Sequence, residues 1–396
     1  MIEFEKAVKI IKQNVNISQA SEIIDVSNSH KRVLNKSYIS KYNIPRTNLS
    51  AMDGILVMKN NKHDILKIVG ESKAGDLKAK KIKDGECILI FTGGPICGED
   101  KQVIPNENFK IKDGFVHIHT RLYNDYVRRT GSDLSKGKIY LKKDSIITIR
   151  SKVLALSMKL KNLNVKKKPK IFIICTGDEI IPKKGNQSLV ASTNHIFIKF
   201  FVELFGGEVV KISYSSDDYK NFIKTFKSQK VFDFLITSGG ISRGKYDIVK
   251  SSLKKNGLKI LFDKVAVKPG KPTTFGKLSK RKYFLGLPGN PVSCFISMIN
   301  FFPIFINAFY GINFINASLK PFISKKFIKE NNNLTQFQRV FIKNQHFEIF
   351  KSQDSSLLNT LSLSDGILIR RPKAKSIKSG EISNIMLFQD LNNEQI

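Results

Sequence analysis

Residues 170–179 read KIFIICTGDE, a charged residue, an unbroken apolar run, and then a polar turn carrying two carboxylates. A strand with one wet face alternates apolar and polar residues. A continuous run instead marks a strand covered on both faces, as in parallel sheets flanked by helices. The next segments repeat the unit. Helical HIFIKFFVELFG (195–206) leads to the strand EVVKIS (208–213), and helical DDYKNFIKTFKSQK (217–230) leads to FDFLITSGG (232–240). Helical DIVKSSLKKNG (247–257), the stretch KILFDKVAVKPGKP (259–272) and the strand YFLGLPGNP (283–291) complete the series. This alternation predicts a central doubly wound α/β domain over 168–318.

Outward from that domain the pattern changes. Residues 1–47 and 142–167 read as a helical linker domain, whose first helix, MIEFEKAVKIIKQNV, is amphipathic and able to pack on the α/β domain. Between them, 48–141 holds short apolar runs (ILVMK, ILKIVG, CILIFTGG, FVHIH, KIYL) broken by Gly, Asn and Asp, the mark of a β-rich insertion module. After 319, QFQRVFIKN, HFEIFKS and GILIRRP read as antiparallel strands of a C-terminal β domain. The fold class is therefore multidomain α/β.

Composition narrows the function classes. With 396 residues, 41% hydrophobic and 25% charged, the chain can build several ordinary cores. Its formal charge is +34, from 67 Lys plus Arg against 33 Asp plus Glu. The lysines are spread along the whole chain, and Lys, Ile, Asn and Phe, favoured by AT-rich codons, abound while Trp is absent. Base composition accounts for this charge better than a nucleic-acid partner, which draws charge onto one face. The four cysteines form no C-x-x-C pair, and the opening residues lack an apolar signal region. A cytoplasmic, reducing setting is expected, without nucleic acid or membrane. CFISMINFFPIFINAF (294–309), interrupted by Asn300, Pro303 and Asn307, reads as a buried helix rather than a span.

Unusual residues collect where the strands end. CTGDE (175–179), TSGGISRGKYD (237–247), KPGKP (268–272) and GLPGNPVS (286–293) each follow an apolar run. Ligands of open α/β sheets bind beyond the carboxyl ends of the strands, so these loops are expected to share one rim. Gly239 and Gly240 let backbone approach a ligand, and Ser238 adds a hydroxyl. After Pro288, Asn290 is placed to cap a helix that Pro291 begins, turning N–H groups and a positive dipole end toward an oxyanion. Lys268 and Lys271 supply formal charge on a turn stiffened by two prolines. Asp178, Glu179 and Asp247 beside an anion call for a hard cation such as Mg²⁺, although Asp178 and Asp247 also fit as plain helix caps. The insertion module offers SAMDG (50–54), FTGGPICGED (91–100), Glu107 and RRTGSD (128–133), which also read as hairpin connections. His117 and His119 share a strand face with no third ligand nearby, so a solvated face is expected there. No G-x-S-x-G context is present for a nucleophilic serine.

Taken in order, SAMDG, FTGGP, RRTGSD, TGDE, SGGIS with Asp247, KPGKPTTFGKL, GLPGNPVS and the late FQR (337–339) resemble the MoeA family, the molybdopterin molybdenumtransferases, also found as the C-terminal part of gephyrin-type proteins. The likeness runs from about residue 30 to 370. It implies a homodimer of four-domain subunits that inserts molybdate into adenylated molybdopterin, with Mg²⁺-dependent release of AMP. Its implied functional polar positions are Asp53, Thr92, Asp133, Glu179 and Asp247, with Asp247 and Glu179 on the metal. Its implied anion-handling positions are Lys268, Lys271, Ser293, Arg339 and Ser355. The implied partners are a molybdopterin adenylyltransferase and downstream molybdoenzymes or their chaperones. Ile55 stands where the family carries an aromatic, Ser192 where it carries an aspartate, and Arg243–Gly244 where it carries a small pair. Two neighbouring readings are a non-catalytic molybdopterin-binding scaffold, which calls for a long linker, and the adenylyltransferase itself, which needs neither the insertion module nor the terminal β domain.

Overall fold

The structure is a computed structural model that describes residues 1–121, 124–177, 193–240, 248–313 and 318–391. Contacts divide the chain into two compact units. The first comprises Met1–Asn35, Asp144–Lys152 and Asn162–Ile396, and the second Lys36–Lys143 and Val153–Lys161.

In the first unit the strand Lys170–Thr176 lies between Glu208–Ser215 and Phe234–Ser238, parallel to both, and Phe234–Ser238 pairs in parallel with Lys282–Leu287. Ile171 through Thr176 are all buried, as a continuous apolar run requires. Beyond Lys282–Leu287 the sheet changes hand: Thr274–Ser279 and Lys259–Asp263 add as antiparallel strands. The stretch read as one segment, 259–272, is thus an edge strand followed by a turn that feeds back into the sheet.

Helix Pro291–Tyr310 passes through the centre of the core. This 20-residue helix meets the length and composition of a membrane span, with a mean hydropathy of 1.8 over an 18-residue window, yet 78% of that window is buried inside the protein. The helix is longer than the segment read from the sequence and continues through Pro303. Aromatic packing explains its burial: Phe305 stacks on Phe234 at 3.8 Å between centroids, with Phe302 and Tyr283 alongside. The helix Phe4–Asn14 buries Ala7 and Ile11 in the same cluster, and Phe4 meets Phe301 edge-on.

The C-terminal strands close on themselves. Thr335–Lys343 pairs with His346–Ile349, which pairs with Leu319–Ser324, then Ile382–Leu387, then Gly366–Arg370, which returns to Thr335–Lys343. This five-stranded barrel has a core of Val340, Phe347, Leu368, Ile385 and Leu387. A short strand, Val267–Lys268, adds in parallel to its Thr335 end, so the lysine turn hangs from the barrel as well as from the sheet.

The second unit holds a six-stranded sheet in the order 101–105, 54–58, 86–90, 65–72, 115–118, 109–112. Ile55 and Val57 enter one core cluster and Leu56 the other, the period of two expected of a strand covered on both faces. Ile55 is fully buried, so an apolar residue after Met52–Asp53–Gly54 serves packing there. Gly54 admits no side chain, because a Cβ would stand 2.0 Å from the Ile104 carbonyl oxygen.

Candidate functional site: a lysine-bearing cavity at the strand ends

A cavity of about 1010 Å³ opens where the parallel strands end. Thr176, Gly239 and Gly240, the turn 267–272, and the segment Pro288–Asn290 with Ser293 all line it. Four loops far apart in sequence therefore meet in one place. The barrel contributes Leu334, Lys351, Gln353, Asp354 and Ser355.

The lysine turn is held from below. Lys268–Pro269 is a cis peptide, and Gly270 adopts φ +103°, a region that disfavours side chains. Thr273 donates its N–H and its hydroxyl to the Gly270 carbonyl at 3.0 and 2.7 Å. The same hydroxyl lies 2.9 Å from Ser297 Oγ of the central helix. Val265 N–H closes the turn on the Lys271 carbonyl at 3.0 Å, and Ala266 N–H reaches Ile2 O at 2.7 Å. Both lysine side chains are exposed above this anchored backbone.

Asn290 occupies the N-cap position of the central helix and Pro291 its first residue. The expected fan of free N–H groups is smaller than the sequence suggested. Val292 N–H donates to the Ser355 carbonyl at 3.2 Å, and Asn290 Nδ2 donates to Ser355 Oγ at 3.0 Å. The barrel loop thus docks on the helix end, and Ser293, largely buried, lines the cavity beside it.

The glycines of the SGG loop answer to crowding rather than to ligand approach alone. A Cβ on Gly239 would sit 2.3 Å from the Thr176 carbonyl oxygen, and one on Gly240 2.7 Å from Thr176 Oγ1 and from Val249 Cγ2. Both also have positive φ, +89° and +59°. Ser238 is buried and structural in its contacts: it accepts from Asn194 Nδ2 at 2.7 Å and donates to the Pro288 carbonyl at 3.3 Å. Asn194 also donates to Gly289 O at 2.6 Å, tying two rim loops together.

Arg339 lies behind the cavity instead of in it. Its side chain is fully buried and donates to the carbonyls of Ser352, Asp354 and Leu357. Burial draws its pKa down, while the charge of Asp354 acts in the opposite sense. Gln353 accepts from Arg339 N–H at 2.9 Å and donates to Arg339 O at 3.1 Å. The result is a loop, 352–357, whose shape is set by a neighbouring strand. Ser355 lines the cavity while its own oxygens hold the helix end.

Three of the expected polar positions sit in the second unit. Asp53 Oδ1 accepts from Thr92 N–H at 2.6 Å and Thr92 Oγ1 at 2.8 Å, and these two bonds hold the carboxyl below the usual carboxylate range. Asp133 is exposed at a turn whose N–H groups, from Asp133 and Leu134, return to Ile44 O. Glu179 and Asp247, with Asp178, Ser192 and Arg243, lie outside the described residues. Sequence reading missed Thr176, Asp217, Lys351, Gln353 and Asp354 on the cavity wall, and Asn194 beneath it. Thr176 was within reach, being the residue between the apolar run and the carboxylates; the barrel residues carry no comparable local signal.

Known proteins supply the remaining context. A family model described as "MoeA N-terminal region (domain I and II)" matches residues 2–158, "Probable molybdopterin binding domain" matches 172–307, and "MoeA C-terminal region (domain IV)" matches 324–388. A Haemophilus influenzae protein named molybdopterin molybdenumtransferase is 30% identical over 304 residues, covering 75% of each chain. A Synechocystis protein of the same name is 29% identical over 313 residues, covering 76% of this chain and 80% of its own. In fold, a molybdopterin biosynthesis MoeA protein from Pyrococcus horikoshii superposes with a TM-score of 0.84 at 21% identity, covering 98% of this chain and all of its own. With three family models in series along its length and a relative matched over three quarters of both chains, this chain belongs to the MoeA family.

Proposed function

We propose that the protein is a molybdopterin molybdenumtransferase of molybdenum cofactor biosynthesis, which inserts molybdate into adenylated molybdopterin and releases AMP. The observation that carries this reading is the cavity, where Lys268 and Lys271 meet the end of the central helix at Ser293. Molybdate is a tetrahedral dianion and the pterin substrate carries a phosphoanhydride, so both reacting partners are anionic. Fixed positive groups attract them without first having to reorganise, which is where preorganised sites gain over water. The anchored backbone under Gly270 supplies that fixity, and the exposed ammonium groups adjust their reach.

Mg²⁺ belongs to the same proposal. Hard oxygen donors suit that ion, and the cavity wall carries Asp217 together with the buried Thr176 hydroxyl, which has no hydrogen-bond partner among the described residues. The resemblance adds Asp247 and Glu179. Held by such donors, the ion would supply neutralisation of phosphate charge. The chain's own residues hold and orient the anions, and no histidine lines the cavity among the described residues, so placement and charge carry the design.

The proposal extends to a cytoplasmic homodimer that takes its substrate from a molybdopterin adenylyltransferase and passes the cofactor to molybdoenzymes or their chaperones. The four free cysteines support the reducing setting, and the shared motifs support the dimer. The decisive assay is AMP release from adenylated molybdopterin by the purified protein with Mg²⁺, with and without molybdate. Molybdate-dependent release with formation of active cofactor is the expected result. Tight pterin binding with no release under either condition overturns the enzyme reading in favour of a non-catalytic binding protein.

A further inference from the structure

The cavity wall carries five formally charged residues among those described: Asp217, Lys268, Lys271, Lys351 and Asp354. Among the described residues of the wall, three lysines therefore stand against two aspartates, and Lys351 supplies the third positive charge. Asp354 keeps its charge, since Ser356 donates both its hydroxyl and its N–H to Oδ1 at 2.7 and 2.8 Å. We propose that Lys351 is a third oxyanion-binding side chain of this site, delivered by the barrel and acting with Lys268 and Lys271 on the same tetrahedral dianion. The identity of that anion as molybdate rests on the function proposed above.

Three observations carry the assignment. Lys351 lies on the wall of the same cavity as the lysine turn, although 80 residues separate it from Lys271 in the chain. Its ammonium has no carboxylate partner among the described residues, and neither have those of Lys268 and Lys271, so the charge of all three is open to a ligand. The backbone beneath Lys351 is fixed: Gln353, two residues on, is bonded to Arg339 N–H, Arg339 O and Phe350 O, and Ser355 is bonded to the end of the central helix. A lysine on a fixed backbone loses only side-chain freedom when it closes on an anion. A solvated surface lysine, by contrast, sits among screened charges and leaves ligand affinity unchanged.

The test is equilibrium binding by calorimetry on the full chain, with sodium molybdate and inorganic phosphate as separate probes, at low and at high salt. Wild type is compared with Lys351→Met and Lys351→Arg. Loss of one charge-assisted contact is expected to weaken molybdate binding about tenfold in Lys351→Met at low salt, with a smaller ratio at high salt. Lys351→Arg, which keeps the charge, is expected to recover most of the affinity. Affinity within about twofold of wild type in Lys351→Met, for whichever anion wild type binds, overturns the proposal. Equal losses in Lys351→Met and Lys351→Arg overturn it too, because shape and not charge would then matter. Wild type that binds phosphate but not molybdate removes the molybdate reading while leaving Lys351 judged on phosphate. Wild type that binds neither anion removes both.

Discussion

The turn 268–272 and the loop 351–357 bring lysines to one cavity, but they are held by opposite means. The turn carries its own constraints: two prolines, a glycine at φ +103°, and Thr273 bonded twice to Gly270. The loop has neither proline nor glycine, and within it only Ser356 bonded to Asp354 acts locally from side chain to side chain. Its carbonyls are gathered by the buried guanidinium of Arg339, which lies on a barrel strand twelve residues before Lys351. A cation placed by local chemistry is visible in a dozen consecutive letters. A cation placed by a distant buried donor is not.

That contrast is most sharply tested by removing the distant donor. Arg339→Met takes hydrogen bonds from three carbonyls and leaves them facing a buried apolar chain. A cost of about 3 kcal/mol is expected, read as a lowered urea midpoint. The loop's cation should then lose its fixed position, so that Lys351→Met added to Arg339→Met changes molybdate affinity no further. Independent, additive losses in the double variant would show that the guanidinium does not position Lys351.

The corresponding break in the turn is Gly270→Ala. Its Cβ would stand 2.7 Å from Ser297 Oγ, and its φ is one that alanine adopts only under strain. About 2 kcal/mol of destabilisation is expected, together with weaker oxyanion binding, measured by urea unfolding and calorimetry. Adding Ser297→Ala removes the contact but not the backbone strain, so it should restore only part of the loss. Full restoration would show that the hydroxyl contact, and not φ, makes glycine necessary here.

The same distinction explains what could be read in the sequence. The α/β core was legible because Ile171 to Cys175 form an unbroken apolar run, and burial on both faces is the physical meaning of such a run. The N-cap at Asn290 and the helix start at Pro291 were legible because capping is decided within a few residues. The antiparallel edge at 259–279 was not, since nothing local separates a hairpin partner from a crossover strand. Nor was the docking of Ser355 on Val292, which takes up an N–H that the sequence left for a ligand. Arg339 shows the limit most clearly: the family resemblance implies an anion-handling position, and nothing in the sequence shows that its side chain is fully buried among carbonyls.

The smallest effect expected concerns protons. In the loop, Asp354 accepts from Ser356 through side chain and backbone, and those bonds hold its carboxyl below the usual carboxylate range. A carboxyl lowered in the folded state adds stability above its unfolded pKa and loses it as pH falls through the folded value. The wild type should therefore exceed Asp354→Asn in urea midpoint at neutral pH, with the gap closing as pH falls below about 4. The gap between wild type and Gly270→Ala arises from φ and a hydroxyl contact, neither of which titrates, so it should hold across the same range. A gap for Asp354→Asn that stayed constant into acid would mean that the amide loses part of the Ser356 bonding and that the charge itself contributes nothing. The loop would then be held, like the turn, by neutral hydrogen bonds, and the two cation carriers would differ only in where their donors come from.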